Sequence, residues 1–182
     1  LGLLTLLSFR STAADQQYIV IIMLLIVLTT VFVPFNLGLF GPKRKIFLGD
    51  AGSMVFGLVI AFLLIRFSQR EIPVVATTAA AWIVGVPLLD MIAVIIRRLQ
   101  ARVSITTSDR QHIHHLLCDR GIRSSFVILI LVALHSSFVA IGVLGTLLEW
   151  PDMFLFWGTL MTLGLYFLAT LTVTKPVKQL NS

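Results

Sequence analysis

Charged residues are scarce in this chain, and cysteine is almost absent. Only 12% of its 182 residues are charged, whereas 58% are hydrophobic, and this composition excludes an ordinary water-soluble globular domain. Cys118 is the single cysteine, so the chain cannot form an internal disulfide and is not a disulfide-rich secreted fold. We therefore expect a protein that is embedded in lipid.

Long apolar stretches fill most of the sequence. A hydrocarbon core of about 30 Å needs about 20 apolar residues per helix, and each stretch is near that length. The fold class that this pattern predicts is all-α, a polytopic membrane helical bundle of about five transmembrane helices that forms a single integral-membrane domain over residues 1–182. The predicted helices are Tyr18–Phe35, Ser53–Phe67, Val74–Ile96, Phe126–Leu148 and Met153–Val173.

Acidic residues are also few, with eight against 14 lysines and arginines. The basic residues lie in loops between apolar stretches rather than on one folded face, which indicates membrane topology and not a nucleic-acid partner. Counted on alternate sides of the predicted spans, eleven lie on one side and three on the other. The first side is predicted to be cytoplasmic. It holds both long polar loops, at about 36–50 and 97–125, and we expect these loops to form one site.

A carboxylate stands where the first of these loops enters a predicted helix. Asp50 lies in the sequence Gly49-Asp50-Ala51-Gly52-Ser53, whose small residues let backbone N–H groups approach a phosphate. Mg²⁺ prefers a few carboxylates together with phosphate oxygens, so Asp50 is a candidate metal ligand. The alternative is an aspartate that caps the helix, and the sequence leaves both interpretations open.

Three of the four histidines lie close together in the second loop, within Ser108-Asp109-Arg110-Gln111-His112-Ile113-His114-His115. Neutral imidazole binds metals or moves protons, and imidazolium donates hydrogen bonds to phosphate. The segment therefore predicts metal or phosphate chemistry, with a basic interfacial loop as the alternative. The fourth histidine, His135, lies within a predicted span, where a hydrogen-bonded contact between helices is favoured over catalysis.

Charged residues at the end of the third predicted span add further candidates. Arg98 and Arg102 are candidates for substrate contact because an arginine fork matches phosphate oxygens, although anchoring at the membrane surface is the alternative. Asp90 lies inside the span, where an ionisable side chain is a functional hypothesis by default. It could equally be a structural carboxylate that is hydrogen-bonded to Arg97 or Arg98, so its role stays open.

Three motifs in order resemble a known family: Phe47–Ser53, then Pro87-Leu88-Leu89-Asp90 with Arg97-Arg98, then Ser108–His115. Together they are similar to the polyprenyl-phosphate N-acetylhexosamine-1-phosphate transferases, which are glycosyltransferase family 4. Within that family the spelling is most like the bacterial members that use undecaprenyl phosphate and N-acetylglucosamine. The resemblance covers roughly residues 36–125 and is specific because the motifs keep their order and spacing.

The resemblance implies an activity and a location. Such an enzyme transfers N-acetylhexosamine 1-phosphate, here with N-acetylglucosamine as the favoured sugar, from a UDP-sugar to undecaprenyl phosphate and releases UMP. Mg²⁺ or Mn²⁺ assists. The reaction is the first membrane step of cell-envelope polysaccharide synthesis, and it takes place at the bacterial inner (cytoplasmic) membrane, with the active loops in the cytoplasm.

The resemblance also implies roles for individual residues. Asp50 would be the catalytic or metal-binding carboxylate, and His112 would be a catalytic residue at the diphosphate of the UDP-sugar. The residues implied in substrate binding are Arg98, Asp109, Arg110, His114 and His115.

Two acidic motifs of the family do not occur in this sequence, namely a paired-aspartate loop and an Asn-rich loop that ends in Asp-Gly. We therefore expect the chain to be the C-terminal part of a larger bundle and to be inactive alone. Two other functions stay open, a non-catalytic truncated membrane fragment and a divalent-metal transporter. The sequence also leaves open whether the chain forms a homodimer.

Overall fold

The computed structural model describes residues 2–10, 12, 15–69, 71, 73–100, 102 and 112–173. Within these ranges the secondary structure is helical and contains no β-strand, which confirms the predicted all-α class. A short 3-10 turn covers Pro42–Arg44. The α-helices are α1 (Gly2–Arg10), α2 (Gln16–Asn36), α3 (Gly49–Ser68), α4 (Thr77–Ile83), α5 (Gly85–Gln100), α6 (Ile113–Asp119), α7 (Ser124–Leu147) and α8 (Asp152–Val173).

Four of the described helices are long and apolar enough to cross a membrane, by length and composition: α2, α3, α7 and most of α8. The pair α4 and α5 adds a fifth crossing if it is counted as one span. Large apolar side chains are exposed along these helices, as lipid-facing surfaces require. The chain is a multi-pass membrane protein, as its composition predicts.

The third predicted span differs from the sequence expectation. One transmembrane helix over Val74–Ile96 was expected, but α4 and α5 are separate helices bent by 81°. Gly85 begins α5 and Pro87 is its third residue. Proline has no N–H group and is tolerated in a first turn, where backbone N–H groups have no acceptor within the helix. The expectation of a continuous helix is therefore wrong, and the pair is a broken span or a re-entrant loop.

The chain divides into two compact units, residues 1–80 and residues 81–182, and the boundary falls within α4. The predicted single integral-membrane domain stays a prediction.

The first unit joins α2 to α3 through aromatic contacts. The Tyr18 ring of α2 lies edge-on against the buried Phe67 of α3, with a centroid distance of 5.4 Å. Arg66 Nε donates a 3.4 Å hydrogen bond to the Tyr18 hydroxyl. At the other end of α2, Asn36 Nδ2 donates a 3.0 Å hydrogen bond to the carbonyl oxygen of Ile46. This bond ties the loop that leads to Asp50 back to the end of α2.

The second unit packs closely because small residues and one tryptophan lie between its helices. α5 contacts α7 and α8, and α6 contacts the same two helices. A Cβ atom added to Gly85 would lie 2.3 Å from the Phe138 ring, so α5 can approach α7 only with glycine there. Buried Trp82 donates its indole N–H to the carbonyl oxygen of Leu155 at 3.0 Å. Close approach through small residues and interhelical hydrogen bonds is the usual way in which membrane helices associate.

Candidate functional site

Asp90 is the centre of a polar cluster in the second unit. Its Oδ2 atom lies 2.8 Å from His112 Nδ1. Its Oδ1 atom accepts a 3.1 Å hydrogen bond from the backbone N–H of Ile113 and a 3.0 Å hydrogen bond from the Tyr166 hydroxyl. Three helices, α5, α6 and α8, thus meet at one carboxylate.

The local structure of α6 explains why Asp90 can reach this position. His112 is the N-cap residue, with φ −69° and ψ 146°, and its side chain makes no hydrogen bond to the helix. The first N–H groups of an α-helix have no acceptor within the helix. The carboxylate of Asp90 supplies one acceptor from another helix, at Ile113, and it therefore fixes the start of α6 as well as the neighbouring imidazole.

Burial differs sharply between the two members of the Asp90–His112 pair. The side chain of Asp90 is 13% exposed and that of His112 is 45% exposed. A buried carboxylate needs hydrogen-bond donors to offset its lost hydration, and each hydrogen bond to a charged group contributes roughly 1.5–3 kcal/mol. The three donors around Asp90 meet this need, while His112 keeps an accessible edge.

The geometry also determines which ring nitrogen of His112 is available. An ionised carboxylate can only accept hydrogen bonds, so Nδ1 carries the proton in the contact with Asp90. The other ring nitrogen, Nε2, is then the one left for a ligand. A histidine whose one nitrogen is held by a carboxylate is fixed in orientation and in protonation pattern.

The other predicted residues of the histidine segment are described only in part. His114 is exposed, and its ring is stacked against that of His112 with a centroid distance of 6.0 Å and an interplanar angle of 16°. His115 lies on α6, but its side chain falls outside the described part of the chain. Asp109 and Arg110 also lie outside the described residues. Their predicted roles in substrate binding therefore stay predictions.

The arginines at the end of α5 are mostly buried. Arg98 is 8% exposed and Arg97 is 7% exposed, whereas Arg102 is exposed and has a positive φ of 55°. Arginine side chains that are this buried are not simple surface anchors. The predicted contact of Arg98 with substrate stays a prediction.

Asp50 lies in the first unit, in the first turn of α3. Leu48 occupies the N-cap position and makes no side-chain capping bond, so Asp50 is not the cap of this helix. The residue is exposed, and within the described part of the chain its carboxylate accepts no hydrogen bond. Gly49 precedes it with φ +69°, a left-handed conformation that favours glycine. Asp50 is therefore an exposed carboxylate beside the N–H groups of the first turn of α3.

The residues around Asp50 suit a Mg²⁺ ion in one respect. No group of three His, Cys, Asp or Glu side chains in the described ranges is placed to hold a metal by protein ligands alone. Mg²⁺, however, usually keeps several waters and binds through one or two carboxylates together with substrate phosphates. Asp50, which is exposed and has no hydrogen-bond partner for its carboxylate among the described residues, is therefore suited to hold Mg²⁺ or Mn²⁺ when a phosphate-bearing substrate supplies the other ligands.

Tyr166 is the residue of this site that sequence reasoning missed, and the pairing of Asp90 with His112 was missed as well. The described hydrogen bonds to Asp90 involve His112, Ile113 and Tyr166, and the expected bond to Arg97 or Arg98 stays a prediction. One signal was present, because the chain has only two tyrosines and a phenolic hydroxyl in an apolar helix needs a partner.

His135 has one ring nitrogen that makes no hydrogen bond within the described residues. It lies in α7, and its Nδ1 atom is buried without a hydrogen-bond partner among the described residues. The sequence expectation of a hydrogen-bonded interhelical contact is therefore not met at this atom.

Comparisons with known proteins match the segments that contain Asp50 and Asp90. The sequence pattern of glycosyl transferase family 4 matches residues 1–68, which include Asp50. The chain is also 39% identical over 131 residues to an undecaprenyl-phosphate alpha-N-acetylglucosaminyl 1-phosphate transferase of Yersinia pestis, which is 69% of this chain and 35% of the relative. The chain is related to glycosyl transferase family 4.

Two more relatives of this family carry the same name. That of Escherichia coli strain K12 is 37% identical over 131 residues, which is 69% of this chain and 35% of the relative. That of Haemophilus influenzae is 35% identical over 136 residues, or 74% of this chain and 38% of the relative. A matched segment of 131 or 136 residues must include the middle of a 182-residue chain wherever the match begins. Each match therefore includes both Asp90 and His112.

The chain spans little more than a third of the length of these family 4 relatives. No solved structure matches the chain.

Proposed function

We propose that this chain forms part of an enzyme that transfers N-acetylglucosamine 1-phosphate from UDP-N-acetylglucosamine to undecaprenyl phosphate and releases UMP. One observation carries the proposal: relatives named as undecaprenyl-phosphate N-acetylglucosaminyl 1-phosphate transferases match a segment that contains the accessible, carboxylate-held His112. The same names favour transfer over the transport of a divalent metal ion.

In the proposed reaction, an oxygen of undecaprenyl phosphate attacks the β-phosphorus of the UDP-sugar. The bond from that phosphorus to the oxygen that bridges it to the α-phosphorus breaks, and UMP leaves with the bonding electrons. Both substrates and both products carry two negative charges, so the reaction consumes no net proton. The protein therefore has to position the reactants and to stabilise negative charge.

His112 suits this task better than it suits proton transfer. Its Nδ1–H faces Asp90 at 2.8 Å, and Nε2 is left for a phosphate oxygen. Between two anionic groups, the ring is best matched in its doubly protonated form, with one N–H for each group, and hydrogen bonds of this charge-assisted kind are the strong ones. We assign further substrate contacts to Arg98, Asp109, Arg110, His114 and His115.

Asp50 is assigned to the cation. It would hold Mg²⁺ or Mn²⁺, which when bound offsets the negative charge of the phosphate oxygens. The N–H groups of the first turn of α3 would add a favourable local field for the same phosphates.

A chimera tests the proposed activity. This chain replaces the matching segment of the Escherichia coli relative, and membranes are assayed for UMP release from UDP-N-acetylglucosamine and undecaprenyl phosphate, with the 182-residue chain assayed in parallel. We expect release from the chimera that requires both substrates and is slower with UDP-N-acetylgalactosamine. A chimera that inserts at the level of its parent but releases no UMP, under conditions in which the parent is active, would contradict the proposal.

The proposed location is the inner membrane, with the loops at 36–50 and 97–125 in the cytoplasm. Cysteine labelling tests it, because Cys118 is the single native cysteine and can be replaced by serine. In that background, Lys45→Cys and Glu149→Cys place single thiols at two exposed positions. We expect an impermeant maleimide added to spheroplasts to label the Glu149→Cys variant only. Labelling of the Lys45→Cys variant alone would show the opposite orientation.

A further inference from the structure

The two oxygens of Asp90 are used differently, and this asymmetry has a functional consequence. Oδ1 accepts hydrogen bonds from two donors, the Ile113 backbone N–H and the Tyr166 hydroxyl, while Oδ2 lies 2.8 Å from the imidazole of His112. The Ile113 N–H is part of the backbone and cannot become an acceptor. The orientation of the carboxylate is therefore determined by α6 and α8, and the imidazole must adapt to it.

We propose that Asp90, itself held by Tyr166, is the positioning residue of His112 in the transfer reaction. Asp90 accepts a hydrogen bond from Nδ1–H and thereby turns Nε2–H, the second donor of the protonated ring, toward the substrate, while Tyr166 prevents the carboxylate from rotating away. The inference rests on the proposed function, since it names the residues that prepare His112 for the diphosphate. Neither Asp90 nor Tyr166 touches the substrate in this assignment.

The charge and burial of the cluster support a positioning role. Asp90 is 13% exposed and three donors already occupy its oxygens, so little of it is left for a ligand. His112 is 45% exposed and is the member of the cluster that a substrate can reach. The Tyr166 hydroxyl comes from α8, 76 residues away in sequence, so its bond to Asp90 depends on the folded second unit and not on local sequence.

Replacing Asp90 by asparagine tests the proposal because the amide has one acceptor and one donor end. The acceptor oxygen must face the Ile113 N–H and the Tyr166 hydroxyl, so the NH₂ group is left opposite His112. Nδ1 must then accept a hydrogen bond and the proton moves to Nε2. Asp90→Asn is therefore expected to reverse the tautomer of His112 without removing its side chain.

The measurement is ¹⁵N NMR of the imidazole rings in the ¹⁵N-histidine-labelled 182-residue chain in micelles. The signals of His112 are identified by their loss in His112→Gln, and the ring is observed at a pH at which its spectrum shows the neutral form. We expect a protonated Nδ1 in the unchanged chain and in Tyr166→Phe, and a protonated Nε2 in Asp90→Asn. A protonated Nε2 in the unchanged chain would overturn the proposal, and so would an unaltered tautomer in Asp90→Asn.

Kinetics of the chimera supply the second readout. In Asp90→Asn the neutral ring still presents Nε2–H to the phosphate but no longer carries a positive charge, and hydrogen bonds that lack such a charge are roughly half as strong. We therefore expect kcat to fall by roughly 10-fold with little change in KM. Tyr166→Phe removes one of three hydrogen bonds to Asp90, and a roughly 5-fold loss of kcat is expected. The matched control is Tyr18→Phe, which removes the only other tyrosine hydroxyl, in the first unit, and we expect it to leave kcat unchanged.

The two readouts separate the inference from the proposed function. If the unchanged chimera releases no UMP, the proposed function fails, whereas the tautomer of His112 in the 182-residue chain still tests the role of Asp90. If UMP is released normally by Asp90→Asn with a reversed tautomer, the assigned positioning role is overturned and the transferase activity stands.

Discussion

Asp50 and Asp90 have opposite surroundings, although both are carboxylates of one membrane chain. Asp50 is exposed in the first turn of α3, and no described residue donates a hydrogen bond to its carboxylate. Asp90 is 13% exposed and accepts three hydrogen bonds. A carboxylate offers about four lone-pair directions, so Asp90 has little capacity left for a ligand. We therefore assign the cation to the open carboxylate of Asp50 and the positioning of His112 to Asp90.

The largest effect is expected from Asp50→Asn in the chimera. A metal ion contributes several kcal/mol of charge stabilisation in such reactions, and at about 1.4 kcal/mol per factor of ten its loss lowers kcat by roughly 1,000-fold or more. UMP release measured over a Mn²⁺ titration checks this. The control is Glu71→Gln, the same change at an exposed carboxylate of the first unit, with full activity expected. Wild-type rates from Asp50→Asn at low metal would remove Asp50 from the site.

The second-largest effect is expected on stability, where a change at Asp90 matters more than a change at Asp50. Asp90→Ala leaves the Ile113 N–H and the Tyr166 hydroxyl without their acceptor, and each buried unsatisfied group costs about 1–3 kcal/mol. We expect the free energy of unfolding of the chain to fall by about 3 kcal/mol in mixed-micelle denaturation. A loss below about 1 kcal/mol would show that the cluster around Asp90 does not support the fold.

A third variant tests the packing that places Asp90 between the helices. Gly85→Ala puts a Cβ atom against the Phe138 ring, where the added atom would lie 2.3 Å away, and overpacking of this kind costs about 1–3 kcal/mol. Gly164→Ala is the matched control, because nothing lies within 4 Å of a Cβ at that position. Phe138→Leu in the Gly85→Ala background is expected to recover part of the loss. Equal stability of the two alanine variants would contradict the close approach of α5 and α7.

The smallest effect is expected from Asp50→Ala on stability. Asp50 interacts with the first turn of α3 only through the helix dipole, and this interaction is worth about 0.3–1 kcal/mol. The same denaturation experiment is therefore expected to show a change of less than about 1 kcal/mol, against the larger loss for Asp90→Ala. A loss of similar size in Asp50→Ala and Asp90→Ala would contradict the structural difference between the two carboxylates.

The membrane helices could be predicted from sequence because hydrophobicity alone determines which segments enter lipid. The predicted span Tyr18–Phe35 corresponds to Gln16–Asn36, and the predicted Phe126–Leu148 corresponds to Ser124–Leu147. The break between α4 and α5 was missed since apolar length was weighed above Gly85 and Pro87. A glycine and a proline within three residues disfavour a continuous helix, and the helix is broken at this point.

The candidate site could be predicted in its residue types but not in its connections. Clustered histidines and a carboxylate inside a span identified His112 and Asp90 separately. Their 2.8 Å contact and the bond from Tyr166 depend on how α5, α6 and α8 pack, and no local pattern encodes this packing. The nearest cations in sequence, Arg97 and Arg98, were the natural guess for Asp90, whereas the bonds from Ile113 and Tyr166 could not be inferred from sequence spacing.

The hydroxyl of Tyr166 gives the last described helix a part in the chemistry. α8 is apolar enough to cross the bilayer, and the tilt of such a helix responds to the thickness of the surrounding hydrocarbon. Since Tyr166 is attached to α8 and its 3.0 Å bond ends on Asp90, a tilt of α8 pulls on the group that orients His112. If the proposed reaction takes place at this site, we therefore expect its rate to depend on the acyl-chain length of the surrounding lipid.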